Sequence, residues 1–496
     1  MQEKNQNIWR HFVFIIFVFL ISRIVFYLIG VRFDFQPLYF YLQIIDPRLL
    51  KTDLIRSIVY LHSQPPLFNL FLGIVLKLFA NSFAFIFYVL YLLLGLIFSV
   101  SIFLLMLRLN INRWIAATLT TMFIISPQVI LYENILFYSY PTAVLLLVSA
   151  LLLNQYLINR KDFTALAFFV SIMCLVLIRS SFHLFWFILI VLVLFKSLRK
   201  ERLKIIKLAL LPFLIILLVY GKNYLLTNSF TTSSTWFGFQ FATMNLYGLT
   251  NQEANDLVKK GKVSITTFNE VANLYSIGTE LNSRVELKKT GAPVIDNIKN
   301  SNNTPNFNNY IYLISSRKYL KEALDVFKSN PEYYFRSLKR AFIIYIFPGP
   351  TDTPFVNREV IKSYEDMFNW NFTHLNKIND GKLYSYFLWA SSKFKNLKWD
   401  SISIALYSLT AGLLIFLIGF SVWLIISCWV RNRDIISSLT LSFIVGNIVY
   451  LTIVSNAFSS FGNNRYRFAI DSFYLILFGL LINAITQSLR KHKNVS

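Results

Sequence analysis

Nine carboxylates lie outside the stretch from about Thr227 to Asp400: Glu3, Asp34, Asp46, Asp53, Glu133, Asp162, Glu201, Asp434 and Asp471. Glu3, Asp162, Glu201 and Asp434 sit among lysines and arginines and read as solvated counter-charges. The other five fall at the ends of long apolar runs, where an ionisable group beside a bilayer is costly unless it is paired or functional. Asp34, in RFDFQP, is the candidate general base, since a partly desolvated carboxylate can take the proton of an attacking hydroxyl; its structural alternative is an ion pair with Arg32. Asp46 precedes Pro47 and reads as a helix N-cap. Asp53 stands three residues before Arg56 and reads as a helix-face charge. Glu133 and Asn134, with Tyr132, Tyr138 and Tyr140 close by, suit binding of a cation or a hydroxylated substrate, or capping of the next helix.

The basic residues supply the complementary half. Arg465 and Arg467, in NNRYRF, precede the last apolar run. Their forked guanidinium groups match phosphate oxygens and stay charged in a dry site, although arginines at that depth also snorkel to headgroups. Lys222, Arg179 and His183 lie at the ends of neighbouring apolar runs and could line the same pocket, with Gln64 beside them. Arg23, inside the first run, snorkels or pairs within the bundle. His62 has no second histidine or cysteine at ligand spacing, so no dedicated zinc site is expected. In HSQPPLFNLF the diproline Pro65–Pro66 starts a short helix lying along the surface. Cys174 and Cys428 lie in apolar segments without CxxC spacing and read as inert buried thiols.

These groups need a scaffold, and composition names it. The 496 residues are 56% hydrophobic and 17% aromatic, with a mean hydropathy of +0.54, well above the apolar share of about 45–50% in soluble proteins. The expected fold is all-α and polytopic, with about ten membrane helices near 12–30, 83–107, 115–131, 138–157, 163–178, 182–195, 207–226, 402–429, 436–455 and 469–488. The fifth and sixth, parted by Arg179, Ser180 and Ser181, form either a tight hairpin or one broken helix. A formal charge of +24 is of the sign that nucleic acid attracts, but the basic residues fall into short alternating connectors, which points to a membrane protein with both termini cytoplasmic and no nucleic-acid partner. The first loop (31–82), the Glu133 connector, the Arg465 connector and the segment 227–400 then share the outer face. The chain divides into an N-terminal membrane module (1–226), an outer soluble domain (227–400) and a C-terminal membrane module (401–496). Within the outer domain, apolar spacing gives a helix from Asn309 that stops at Asn330 and restarts at Pro331. The amphipathic stretch Tyr333 to Phe347, ending at PGPTDTP, lies on the membrane or serves as an ordinary domain helix.

The order of these motifs resembles the GT-C superfamily of integral-membrane glycosyltransferases, in the branch of protein O-mannosyltransferases and the lipid A aminoarabinose transferase. The carriers are Asp34 after the first span, the Pro65–Pro66–Leu67 element, Glu133 in the second outer loop, and Arg465 and Arg467 opening the last span. The resemblance implies transfer of a sugar from a polyprenyl-phosphate or polyprenyl-diphosphate carrier to a protein, lipid or glycan, on the outer face of a cytoplasmic membrane. The Lys-, Asn-, Ile- and Phe-rich composition fits a bacterial source. Asp34 would then deprotonate the acceptor, Arg465 and Arg467 would hold the leaving phosphate, and Glu133 would assist the acceptor or a divalent cation, the only cofactor left open. Two departures are visible: Phe35 follows Asp34 where many members carry a second acidic residue, leaving Asp46 or Asp53 open as the base, and Gly462, Asn463 and Asn464 stand where many carry an acid. A polysaccharide polymerase or ligase and a flippase or transporter are the alternatives, the latter lacking visible inverted repeats.

Overall fold

A computed structural model describes residues 2–272, 289–347, 355–368, 401–430, 434–459 and 462–493. The expected PGP turn after Phe347, the Arg431 and Arg433 connector and residues 369–400 of the outer segment lie outside the described residues. Among the described residues all regular structure is helical, with only isolated β-bridges at Asp34–Ile135 and Lys299–Pro305. The chain is a multi-pass membrane protein.

Seven helices are long and apolar enough to cross a bilayer: Trp9–Leu28, Phe83–Arg108, Ser139–Asn159, Arg199–Thr227, Ser408–Val430, Ile435–Phe458 and Asn463–Arg490. The other three expected spans differ in an instructive way. The segment expected over 115–131 is two helices, Arg113–Ile124 and Pro127–Glu133, bent by 58°. Pro127 has no N–H to give and its ring excludes Ser126 from helical geometry, so the break follows from sequence. The freed carbonyls are recaptured: Ile124 O accepts from Arg23 Nη1 at 2.9 Å and Ile125 O from the Tyr364 hydroxyl at 2.7 Å, as a broken helix in an apolar medium requires. The fifth and sixth segments are the separate helices Asp162–Ile178 and Leu184–Ser197. With 17 and 14 residues they rise about 26 Å and 21 Å at 1.5 Å per residue, short of a hydrocarbon core about 30 Å thick.

Polar side chains join the helices where apolar packing alone gives no register. Trp186 Nε1 donates to Asn447 Oδ1 at 3.0 Å, Asn154 Nδ2 to Thr440 Oγ1 at 3.1 Å, and the hydroxyls of Ser149 and Ser171 meet at 2.9 Å. The strongest such contact is Arg23 with Glu133, joined at 2.8 and 2.5 Å, with the Tyr140 hydroxyl on the same carboxylate at 2.8 Å. Gly95 makes room for it: a Cβ there would stand 2.5 Å from Glu133 Oε2 and 2.9 Å from the Phe19 ring. Gly95→Ala is therefore expected to cost about 1–3 kcal/mol through overpacking, read as a lower Tm, whereas alanine at Gly412, which meets nothing within 4 Å, should not lower Tm, since glycine inside a helix is about 0.5–1 kcal/mol less favourable than alanine.

The connectors sort into two groups. One gathers basic residues: Lys204 pairs with Asp162 at 2.5 Å, Arg160 with Glu201 at 3.3 Å, and Asn483 of the last helix bonds to the Asn110–Asn112 turn. Asp434 caps the helix Ile435–Phe458 through the amides of Ile436 and Ser437. The other group holds the first loop, the Glu133 connector, Arg179, and the start of the last helix. Each short helix runs from one group to the other, Asp162–Ile178 ending beside Arg179 and Leu184–Ser197 returning.

The segment after Thr227 forms a core of its own, in which Phe239, Leu246, Leu257, Phe307, Tyr319 and Val326 are buried together. Its longest helix, Tyr310–Ser329, is capped by Asn309 and gives way to Pro331–Ile346 across Asn330, as the Asn-Pro step predicts. The second helix is held by protein at both ends. Tyr333 packs on the core of the segment after Thr227 while Tyr345 and Ile346 join the core of the spanning helices, and the Tyr334 hydroxyl donates to Ala457 O at 3.0 Å. It pins the outer segment to the last two spans.

Candidate functional site

Asp34 follows the turn at Val31 and enters a two-rung parallel bridge with the Glu133 connector. Its N–H donates to Asn134 O at 2.9 Å and its carbonyl accepts from Leu136 N at 2.8 Å. Backbone pairing leaves the carboxylate to face inward, only 9% exposed. Oδ1 accepts from Gln36 N at 2.9 Å, while Oδ2 is buried with no partner. The ion pair with Arg32 does not form, because Arg32 lies over the Tyr27 ring and donates to Tyr27 O and Val31 O. Burial pushes the Asp34 carboxyl above its ordinary range, opposed in part by the Gln36 amide. An unpaired carboxyl of raised proton affinity is suited to taking a proton.

The connector beside it, Asn134 to Tyr138, is the floor of the site. Tyr41 stacks on Phe137 with centroids 4.4 Å apart, and the Arg465 guanidinium lies 5.2 Å from the same Phe137 ring. Arg179 reaches in from the end of the fifth helix, 5.5 Å from the Tyr138 ring and 4.1 Å from that of Tyr466. Asp34, Arg179 and Arg465 thus border one five-residue connector. Buried polar atoms without partners lie beside it: besides Asp34 Oδ2 they include Ser139 Oγ and Arg179 Nη2. Buried polar groups are normally satisfied, so a cluster of exceptions marks a place for a polar ligand.

No protein-family model, curated protein or solved structure matches this chain. The geometry therefore stands alone.

Several expected members are occupied elsewhere. Glu133 is 1% exposed and locked to Arg23, so it anchors the connector from inside the bundle and is not open to an acceptor or a cation. Arg23 pairs in the bundle, as one of its two readings held. Arg467 turns away from the connector to Asp471, at 3.1 Å, and to Tyr345 O, at 2.6 Å. Residues two apart on a helix project about 200° apart, so Arg465 and Arg467 cannot both face one ligand; Tyr466 between them is the member that sequence reading missed. Asp46 caps Pro47–Thr52 through Arg48 N and also accepts from Ser301 N and Oγ, which occupies both its oxygens. Asp53 sits half-exposed between two short helices and makes no cap bond. Neither competes with Asp34. His183 caps Leu184–Ser197 and packs edge-on against Tyr220. Asn134 spends its side chain on Ile130 O. Gln64 is buried at the step into the helix Pro66–Leu78. That helix is largely buried, so it packs into the bundle and does not merely lie on it. Among the described residues no three His, Cys, Asp or Glu side chains group as metal ligands, so the site's own residues do not fit a bound divalent cation.

His62 belongs to a seam between the first loop and the outer segment. Its Nε2 donates to Asn308 O at 2.8 Å, which leaves Nδ1 to accept from the Ser234 hydroxyl at 2.7 Å. Asn308 Oδ1 accepts from the amides of His62 and Ser63, and Nδ2 reaches Tyr60 O. Lys222 donates to Leu61 O and Arg56 to Gly291 O, so Lys222 supports the seam. Burial lowers the His62 pKa to about 3, the Asn308 carbonyl opposing and the charges of Lys222 and Arg317 reinforcing the shift. Because the folded value lies below the unfolded value of about 6.5, the seam is at full strength above that pH and weakens as pH falls from there toward 3. Relative to intrinsic amide exchange, which itself slows as pH falls, hydrogen exchange of residues 60–64 is expected to accelerate between pH 7 and 5. In His62→Gln that extra acceleration should disappear; a wild-type profile in the variant would show that another group controls the seam.

Proposed function

We propose that this chain is a membrane glycosyltransferase that moves a sugar from a polyprenyl-phosphate-linked donor to a lipid, glycan or protein acceptor. The observation that carries the reading is that the connector Asn134 to Tyr138 is bridged by the backbone of Asp34, whose buried Oδ2 has no partner, and carries on its Phe137 and Tyr138 rings the guanidinium groups of Arg465 and Arg179. In this reading Asp34 Oδ2 takes the proton of the acceptor hydroxyl as its oxygen attacks the anomeric carbon. The bond from that carbon to the phosphate oxygen breaks, its electron pair stays on the phosphate, and the guanidinium groups offset the charge that develops there. Displacement from the opposite face inverts the anomeric configuration.

The reading keeps the GT-C resemblance as an expectation. It takes the bent pair and the two short helices as crossings, which brings the count to ten, and it sets the site on the outer face of a bacterial cytoplasmic membrane with both termini inside. The basic group of connectors at the opposite end supports that orientation. The test is transfer of radiolabelled sugar from a synthetic polyprenyl-phosphate donor by the purified protein, with the product's anomeric configuration determined. Inverted product is expected. Absence of transfer to every acceptor class, or a product of retained configuration, would overturn the scheme.

A further inference from the structure

Arg179 is the most exposed inconsistency in the electrostatics of this chain. It is 4% exposed, and its side chain makes no hydrogen bond or ion pair among the described residues, with Nη2 buried and unpartnered. A guanidinium does not deprotonate in proteins, so this position carries a full positive charge out of water. The Tyr138 and Tyr466 rings flank it, yet a cation–π contact offsets only part of what desolvating an ion costs. Tyr466 also lies 6.0 Å from the guanidinium of Arg465. One tyrosine ring therefore has a cationic neighbour from the fifth helix and another from the last helix. The partner missing from this arrangement is an anion.

We infer that Arg179, held by Tyr466 and Tyr138 and backed by Arg465, is the principal binding residue for the phosphate ester of a lipid substrate, a role that the sequence alone assigns to Arg465 and Arg467. A planar fork with an unspent N–H can make a charge-assisted hydrogen bond to a phosphate oxygen. Arg467 is committed elsewhere, its Nε donating to Asp471 and its Nη1 to Tyr345 O. The inference rests on the glycosyltransferase reading for the identity of the lipid, while the anion site itself stands on the burial of Arg179.

The experiment separates the two. Binding of a short-chain polyprenyl monophosphate to the full-length protein in detergent is measured by native mass spectrometry, beside the uncharged polyprenol, phosphatidylglycerol and inorganic phosphate. Arg179→Gln is expected to weaken the monophosphate about 10- to 100-fold, the loss of a hydrogen bond to a charged group, and to leave polyprenol binding unchanged. Arg179→Lys should fall between, keeping charge without the fork. Thermal unfolding without ligand supplies a second readout that a structural role would move the other way: removing an uncompensated buried cation should raise Tm, whereas an arginine that holds the fold together would lower it. A variant that binds monophosphate within twofold of wild type, or unfolds at lower temperature, overturns the assignment of Arg179. Equal weakening for phosphatidylglycerol and inorganic phosphate overturns the choice of a polyprenyl lipid. Loss of monophosphate binding in a protein that transfers no sugar leaves Arg179 in place and removes the transferase reading.

Discussion

Asp34→Asn is expected to abolish sugar transfer and, at neutral pH, to stabilise the protein. As general base the carboxylate is worth about 10²–10⁴ in rate, and asparagine keeps the Oδ1 bond from Gln36 N while removing the proton acceptor at Oδ2. The stability change has the opposite sign for an electrostatic reason. The folded carboxyl has a raised pKa because burial disfavours its charged form. The native state therefore binds the proton more tightly than the unfolded chain, whose value is about 3.9. Below that pH both states are protonated and the group exerts no penalty; as pH rises through the folded value the native state must ionise a buried acid, and stability is lost. Asp34→Asn should thus show a higher Tm than wild type at pH 7 and little difference near pH 4. Wild-type transfer should fall as pH drops through the folded pKa, at higher pH than an exposed aspartate would give. Turnover in the asparagine variant at the wild-type rate, or a lower Tm at pH 7, would remove Asp34 as the base. Sites strained for function commonly show this trade between activity and stability.

The second large effect is expected inside the bundle. Glu133→Ala leaves the Arg23 guanidinium, 8% exposed, without its anion, and breaking a buried pair from one side costs about 3–5 kcal/mol. The measured outcome should be a sharp fall in Tm and in yield of folded protein. Replacing both partners, Arg23→Met with Glu133→Leu, should recover most of that loss, because two apolar side chains of similar volume leave no charge behind. Ile124 O loses its Arg23 donor in that variant, so recovery should stop short of wild type. The double variant also decides what Glu133 does. If Glu133 anchors the connector, a folded double variant transfers sugar; if it takes part in the chemistry, the same variant is folded and inactive.

These outcomes bear on how far residues alone could be read. Apolar runs of adequate length located the helices well, since hydrophobic length is a local property and a membrane reads it locally. Proline and asparagine steps at Pro65–Pro66, Asn330–Pro331 and Asp46–Pro47 likewise marked helix starts, as those residues restrict their own backbone whatever surrounds them. The break at Ser126–Pro127 carried the same signal within the run 115–131, where continuous hydropathy masked it. Among the carboxylates, the cap at Asp46 was legible from Pro47 beside it, whereas the pairing of Asp53 with Arg56 was not observed, since Arg56 turns to Gly291 O, and the burial that sets Asp34 apart is visible only in the fold.

Long-range partners were another matter. Nothing local to Glu133 distinguishes a catalytic glutamate from one held by Arg23, 110 residues earlier, and both are acids in greasy surroundings. The Arg-x-Arg motif offered two equal candidates, although helical periodicity already forbids a shared direction; which one faces the connector depended on where Tyr345 and Asp471 lie. Nothing local to Arg179 shows that its side chain has no hydrogen-bonding or anionic partner among the described residues, because that is a property of the whole packing. What the residues determined by themselves is a polytopic helical chain with one face rich in acids and arginines, because hydrophobic length and charge are carried by each segment separately. Which of those charges cancel one another inside the bundle, and which remain for a ligand, only the tertiary structure decided, because a charge's partner is set by the fold and not by its neighbours in sequence.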